Sequence, residues 1–119
     1  MPKEIFQPDI RFFLARLDGA AAGCGGVALF RDFAEVKRMY VRAALRGQGV
    51  ARALLARIEE EARTAGHSAL RLETGTAQRA AQRFYEKEGF CRRDAFEPYA
   101  ALPPAAIAGS VFFEKGLTG

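Results

Sequence analysis

The densest chemistry in the sequence lies in Arg46-Gly47-Gln48-Gly49-Val50-Ala51. Two glycines one residue apart, an arginine before them and an apolar-periodic stretch behind them make a backbone that can close on an anion. The first amides of a helix have no intrahelical partner, and the helix dipole adds partial positive charge at the same place. Glycine lets such a loop approach a phosphate with no Cβ in the way. Arg46 and Arg42 add full charges beside it. The pattern is neither the phosphate-loop G-x-x-x-x-G-K-[ST] nor the complete dinucleotide G-x-G-x-x-G, so alone it specifies an anion and no nucleotide class. An ordinary turn before a helix has the same composition. Further along, Gln78, Ala81 and Tyr85 stand three and four residues apart, which puts a phenol on a shared helix face.

Hydrophobic period outlines the elements that must hold these residues. Ile10 to Arg16 is predicted as a strand, and Asp18-Gly19 as the turn of a hairpin. Ala20 to Phe30 is the return strand, thinned or bulged by Gly23, Gly25 and Gly26. After a turn at Arg31-Asp32-Phe33, Ala34 to Val41 completes an antiparallel meander. Strict alternation there puts Ala34, Val36, Arg38 and Tyr40 on one face and Glu35, Lys37, Met39 and Val41 on the other. From Val50 to Ala65 the period becomes helical. Ala51, Leu54, Leu55, Ile58 and Ala62 form one face, Arg52, Glu59, Glu60 and Arg63 lie largely opposite, and Gly66 stops the helix. Ala69 to Thr74 is a strand, and Thr76 is placed to cap a helix over Ala77 to Glu88 that ends at Gly89. Phe90 to Ala95 and Ser110 to Lys115 are the last strands, with a Pro- and Ala-rich loop between them. The order β-β-β-α-β-α-β-β predicts an α+β (mixed α/β) fold, helices packed on a mainly antiparallel sheet.

Composition narrows the classes. A chain of 119 residues and 13.0 kDa is one domain, residues 1–119, and is too short for a two-domain enzyme or a TIM barrel. With 50% hydrophobic and 27% charged residues it is not a disordered chain. The net charge of +4 suits an anionic ligand. Nucleic-acid binding has no aromatic stacking platform or recognition motif behind it. No apolar stretch reaches the length of a membrane span, and Met1 to Phe6 lacks the pattern of a signal peptide. Cys24, Cys91 and the single His67 are too few and too scattered for a metal site. The cysteines are expected as buried free thiols in a reducing cytoplasm.

Context makes the glycine loop specific. Arg46-x-x-Gly49-x-Ala51, after a strand and opening a helix, resembles the Gln/Arg-x-x-Gly-x-Gly/Ala motif of the GNAT family of N-acetyltransferases. Gln78-x-x-Ala81-x-x-x-Tyr85-x-x-x-Gly89-Phe90 resembles the family's Asn-x-x-Ala-x-x-x-Tyr-x-x-x-Gly-Phe. Ala34 to Val41 is similar to its fourth strand. The resemblance covers roughly residues 10–116, and it implies the acyl-CoA N-acyltransferase fold.

It also implies chemistry. Acetyl-CoA would lay its pyrophosphate on Arg46, Gly47, Gln48, Gly49, Val50 and Ala51, and its pantetheine arm along the backbone of Met39, Tyr40 and Val41. The family's fourth and fifth strands part to let the thioester meet an amine. A lysine-like amine has only about 0.04% free base at pH 7, so a base supplies roughly 4–5 kcal/mol. Glu35 matches the glutamate that serves in the family's histone-acetylating branch, with Glu73 as the second candidate base and ordered water as a third. Tyr85 stands where the family puts its general acid, and a backbone amide near Tyr40 would bind the oxyanion. Gln78 replaces the usual Asn of the cofactor contact. Glu35 and Tyr99 are the expected acceptor-side residues. The implied cosubstrate is acetyl-CoA, with no metal, no nucleic acid and no membrane. The family's first strand and two helices have no counterpart before Asp9, leaving an exposed sheet edge that suits a homodimer. A non-catalytic acyl-CoA-binding module built on the same loop is the alternative reading.

Overall fold

Asp18 and Gly19 take φ of +52° and +83°, the paired left-handed positions of a type I′ turn, and close β1 (Asp9–Leu17) on β2 (Ala20–Leu29). The computed structural model describes residues 8–117; the leader reading of Met1 to Phe6 lies outside them. β3 (Ala34–Val41) runs antiparallel to β2. There follow α1 (Val50–Thr64), β4 (Ala69–Gly75), α2 (Arg79–Lys87), β5 (Cys91–Arg93) and β6 (Ser110–Gly116). The six-stranded sheet has the order β1-β2-β3-β4-β6-β5, and only β3 and β4 are parallel. The expected mixed, mainly antiparallel sheet is therefore what forms.

Both helices lie on one face. Leu55, Ile58 and Ala62 of α1 and Tyr85 of α2 share a core with Val27, Val36, Leu70, Leu72 and Phe113. Fully burying a Leu or Ile contributes about 1.5–3 kcal/mol, so this cluster anchors the fold. Neighbouring residues on a strand face opposite ways, and Phe112 accordingly packs on the other side with Phe33, Phe96, Tyr99 and Ile107. The segment between β5 and β6, with short 3₁₀ turns at Tyr99–Ala101 and Pro104–Ala106, thus covers the second face over β4 and β6. It leaves β1 bare. Ile10, Phe12 and Leu14 are 47%, 57% and 55% exposed, while Phe13, Ala15 and Leu17 pack toward α1.

Four sequence expectations are corrected. Strict alternation in β3 fails after Lys37. Gly26 pairs with Lys37 and Cys24 with Tyr40, so two residues of β3, Arg38 and Met39, oppose Gly25 alone. This bulge turns Met39 and Val41 to the helix side with Val36. Arg38 adopts φ +51°, a left-handed conformation that costs a non-glycine residue roughly 1–2 kcal/mol. A Cβ on Gly25 opposite it would lie 2.5 Å from Met39 Sδ, so that side chain would have to shift. Second, Thr76 is not the cap of α2. Gln78 is the capping residue, with no side-chain cap bond, because residues 75–79 form a turn (Gln78 N–H to Gly75, Arg79 N–H to Ala77) and the helix begins only at Arg79. Third, Glu59 is buried, accepting from Lys115 Nζ at 2.9 Å and Arg63 at 3.4 Å. Fourth, the free thiols are not buried: Cys24 is half-buried and Cys91 exposed.

Candidate active site

The parallel pairing of β3 and β4 is limited to Ala34 with Leu70 and Glu35 with Arg71. Beyond these, β3 pairs only with β2, and β4 only with β6. The two strands part, and a cavity of about 290 Å³ opens between them. β3 lines it with Val36, Arg38 and Met39, β4 with Leu72, Glu73 and Thr74, and α2 with Gln78, Ala81 and Tyr85. The three residues that the helical spacing grouped, Gln78, Ala81 and Tyr85, are together here. Gln82 holds α2 over the opening. Its amide nitrogen donates to the carbonyls of Gly75 at 2.8 Å and Thr76 at 3.1 Å, and its oxygen accepts from Arg92 at 2.8 Å.

The cavity-side edge of β3 past Glu35 has no strand partner, so an extended ligand can lie along Met39, Tyr40 and Val41. Tyr40 itself is 53% exposed. β3 leads through a 3₁₀ turn at Ala43–Leu45 into the glycine loop. Gly49, at φ +82°, is the N-cap of α1, a left-handed cap that a side chain would strain. Val50 is buried against Ala22 and Leu54 and pins the first turn, whereas Arg46, Gly47, Gln48 and Gly49 are exposed and Ala51 half-buried. Arg46 Nε donates to the carbonyl of Val41 at 3.2 Å, and an Arg42 terminal nitrogen to that of Ala21 at 3.2 Å. Each guanidinium is thereby anchored by one nitrogen and offers the rest outward. A helix N-terminus beside two held arginines is an arrangement that can hold an anion.

At the other end stand the acid–base candidates. Tyr85 is buried among Phe84, Phe90 and Phe113, with ring centroids at 5.2, 5.5 and 6.4 Å. Burial pushes its phenol up to about 12. The hydroxyl therefore stays protonated at any ordinary pH and is a donor. It has no hydrogen-bond partner among the described residues. Glu73, half-buried, accepts from Ser110 Oγ at 2.7 Å and lines the cavity. Glu35 does not line it. Its carboxylate is sealed, 1% exposed, accepting from Tyr99 Oη at 2.7 Å and lying 3.2 Å from Lys37 Nζ. The Lys37 contact is an ion pair without hydrogen-bond alignment, since Oε1 has no hydrogen bond. Lys37 Nζ also donates to Tyr99 Oη at 3.4 Å. Burial, then the Glu35 carboxylate and nearby Glu73, push the Tyr99 hydroxyl well above the ordinary phenol range.

The geometry adds residues that the sequence reading passed over. Arg38 lines the cavity from within the bulge, for which Gly25 is the sequence hint. Ser110 reaches Glu73 through the pairing of Gly75 with Ser110, a register that no local signal announces. Among the described residues no cluster of His, Cys, Asp and Glu is arranged to hold a metal ion. No helix among them is long and apolar enough to cross a membrane.

Known proteins with this arrangement bear on its meaning. The family model for the acetyltransferase (GNAT) family matches residues 2–90. An IAA acetyltransferase from Azospirillum brasilense is 47% identical over 113 residues, which span 93% of this chain and 71% of that protein. A crystal structure of a Klebsiella pneumoniae protein, provisionally assigned as an acyl-CoA N-acyltransferase, superimposes with a TM-score of 0.82 at 37% identity. That match covers 99% of this chain and 77% of the other. The PaiA N-acetyltransferase of Thermoplasma acidophilum, solved with coenzyme A, shares the fold at TM-score 0.76 and 22% identity, over 91% of this chain and 61% of that one. Given the matched motifs and the parted strands, this chain belongs to the GNAT family of acetyltransferases.

Proposed function

We propose that the protein transfers the acetyl group of acetyl-CoA to the primary amine of a small molecule or peptide, by direct attack in a ternary complex. The observation that carries this reading is the opening between β3 and β4: an unpaired strand edge that leads from an anion site to a buried phenol and an open carboxylate. The coenzyme A held by the Thermoplasma protein supports acyl-CoA as the cosubstrate.

In this reading the pyrophosphate lies on the amides of Gly47 to Ala51 beside Arg46 and Gln48. The pantetheine arm adds along Met39 to Val41, and Gln78 borders the acyl end. The amine nitrogen attacks the thioester carbon, and a backbone amide near Tyr40 takes the developing oxyanion. The intermediate collapses with loss of the C–S bond. Glu73 is the carboxylate that faces the cavity, and it accepts the amine proton directly or through water. Glu35 can act as base only after Tyr99 and Lys37 release it. Tyr85 donates a hydrogen bond to the leaving sulfur. Full proton transfer from a phenol near 12 to a thiolate of intrinsic pKa about 8.5 is uphill by roughly 5 kcal/mol. The hydrogen bond, more than the transfer, is thus what Tyr85 supplies until solvent returns.

Two copies are expected to associate across the edge of β1, which has no strand partner among the described residues and where Ile10, Phe12 and Leu14 are exposed. Light scattering over a range of concentrations tests that. A cytoplasmic location accords with free thiols and a CoA thioester as cosubstrate. The deciding experiment is thiol release from acetyl-CoA over a panel of amines, amino acids, polyamines, aminoglycosides and peptides. Release with at least one class is expected. Binding of CoA with no release from any would return the chain to the non-catalytic reading.

A further inference from the structure

We propose that the acceptor is a small amine that also carries an acid group, and that Arg38 binds the acid while Glu73 faces the ammonium. This rests on the acetyl-transfer reading and specifies its substrate class.

The argument starts from charge. Elsewhere the described carboxylates of the sheet and helices have cations: Glu35 has Lys37, Glu59 has Lys115 and Arg63, and Glu114 has Arg71 and Arg93. Glu73 breaks that pattern, and Arg38 faces it from the opposite strand. They border one cavity from its two strands, yet neither joins an ion pair, with each other or with any described residue. Arg38 has no hydrogen-bonded side-chain partner either, and Glu73 has only the Ser110 hydroxyl. An open cation and an open anion, held apart across one opening, are complementary to a zwitterion. A guanidinium offers a carboxylate or similar acid two parallel donors.

Backbone geometry points the same way. Arg38 sits at φ +51° within the bulge, where glycine or asparagine fits far better, and from there its side chain lines the cavity. The CoA phosphates have their own site in the glycine loop with Arg42 and Arg46, so they do not account for Arg38. A cavity of about 290 Å³ is at the small end for ligand sites and must also admit the acetyl thioester. The acceptor is therefore compact.

The test uses the whole protein with glycine, β-alanine and 4-aminobutyrate, each beside its carboxamide, in steady-state thiol release. Arg38→Asn is the variant, because asparagine tolerates the left-handed backbone; thermal melts check the fold. In the wild type the aminocarboxylates are expected to be preferred over their amides. In Arg38→Asn the KM of the best aminocarboxylate should rise by about tenfold or more, the loss of a charge-assisted pair. The KM values of the amides and of acetyl-CoA should stay within about twofold. A wild type indifferent to the acid group overturns the proposal. So does a variant whose acetyl-CoA KM rises instead, which would make Arg38 a cofactor residue. If no amine of any kind is acetylated, the acetyl-transfer reading fails separately. Calorimetric titration of 4-aminobutyrate into the CoA-loaded protein then decides the anchor: binding lost in Arg38→Asn supports it, and no binding to the wild type refutes it.

Discussion

Glu35 on β3 and Glu73 on β4 occupy neighbouring parallel strands, and the environments of their carboxylates are opposite. Glu35 lies where the strands still pair, level with Arg71, and is closed over by Tyr99 and Lys37. Glu73 lies two residues past that last pair, where the strands have parted, and it is held by one serine hydroxyl at the rim of the cavity. The point at which two strands stop pairing therefore decides which carboxylate is structural and which is available to a substrate. A residue's type says little about this, and its position relative to the last ladder pair says much.

The comparison can be broken by experiment. Tyr85→Phe should have the largest effect on catalysis, lowering kcat by about a hundredfold. The Kd for acetyl-CoA should stay within about twofold, read by thiol release and by titration. An unchanged kcat would remove Tyr85 from the chemistry. Glu73→Gln and Glu35→Gln should fail in different ways. The first is expected to lower kcat about tenfold at unchanged melting temperature, given general-base contributions of roughly 10²–10⁴ and water as a substitute. The second should destabilise by roughly 1–3 kcal/mol, because it disturbs a buried, hydrogen-bonded acid and strands Lys37. If Glu35→Gln is the slow, stable variant and Glu73→Gln the unstable one, the assignment of the two carboxylates is reversed.

Smaller effects sharpen the account of why the strands part. A Cβ on Gly23 would meet the Tyr40 carbonyl oxygen at 2.5 Å, whereas one on Gly25 would meet the mobile end of Met39. Overpacking costs about 1–3 kcal/mol, so Gly23→Ala should fall near the top of that range and Gly25→Ala near the bottom in chemical denaturation. Equal costs would mean that Met39 is as rigid as backbone. Glu114 gives the least. Its burial works against the charge, but hydrogen bonds from Arg71 and Arg93 outweigh that and hold its carboxyl below the usual glutamate value of 4.5. A depressed acid contributes stability above its unfolded pKa and loses it as pH falls through the folded value. The melting-temperature gap between wild type and Glu114→Gln should hence narrow between pH 7 and pH 3.5. A gap that widens on acidification would contradict the depressed value.

Periodicity was a sound guide wherever one face is buried and the backbone regular. The boundaries of β3 match the expectation at both ends, and α1 differs from it by one residue at its end. The loop motif and the Gln78–Ala81–Tyr85 spacing placed two parts of the site. What escaped was non-local or irregular. The Arg38 bulge is a property of the β2–β3 ladder, so alternation within β3 alone misassigns Met39 and Val41. Glu59 looks solvated in a helical projection, but Lys115 reaches it from β6. Thr76 has the right type for a helix cap, yet a turn from Gly75 to Gln78 delays the helix to Arg79 and leaves Thr76 too far upstream.

Arg38 also has an evolutionary consequence. A residue held at φ +51° is a standing opportunity for stabilisation, since glycine or asparagine relieves the local strain. A library randomised at this position and selected for thermal resistance should return those two residues. The same library selected for turnover should return arginine. Position 38 is thus where this small domain trades persistence for activity, and where a thermostabilised version would have to be checked for lost function.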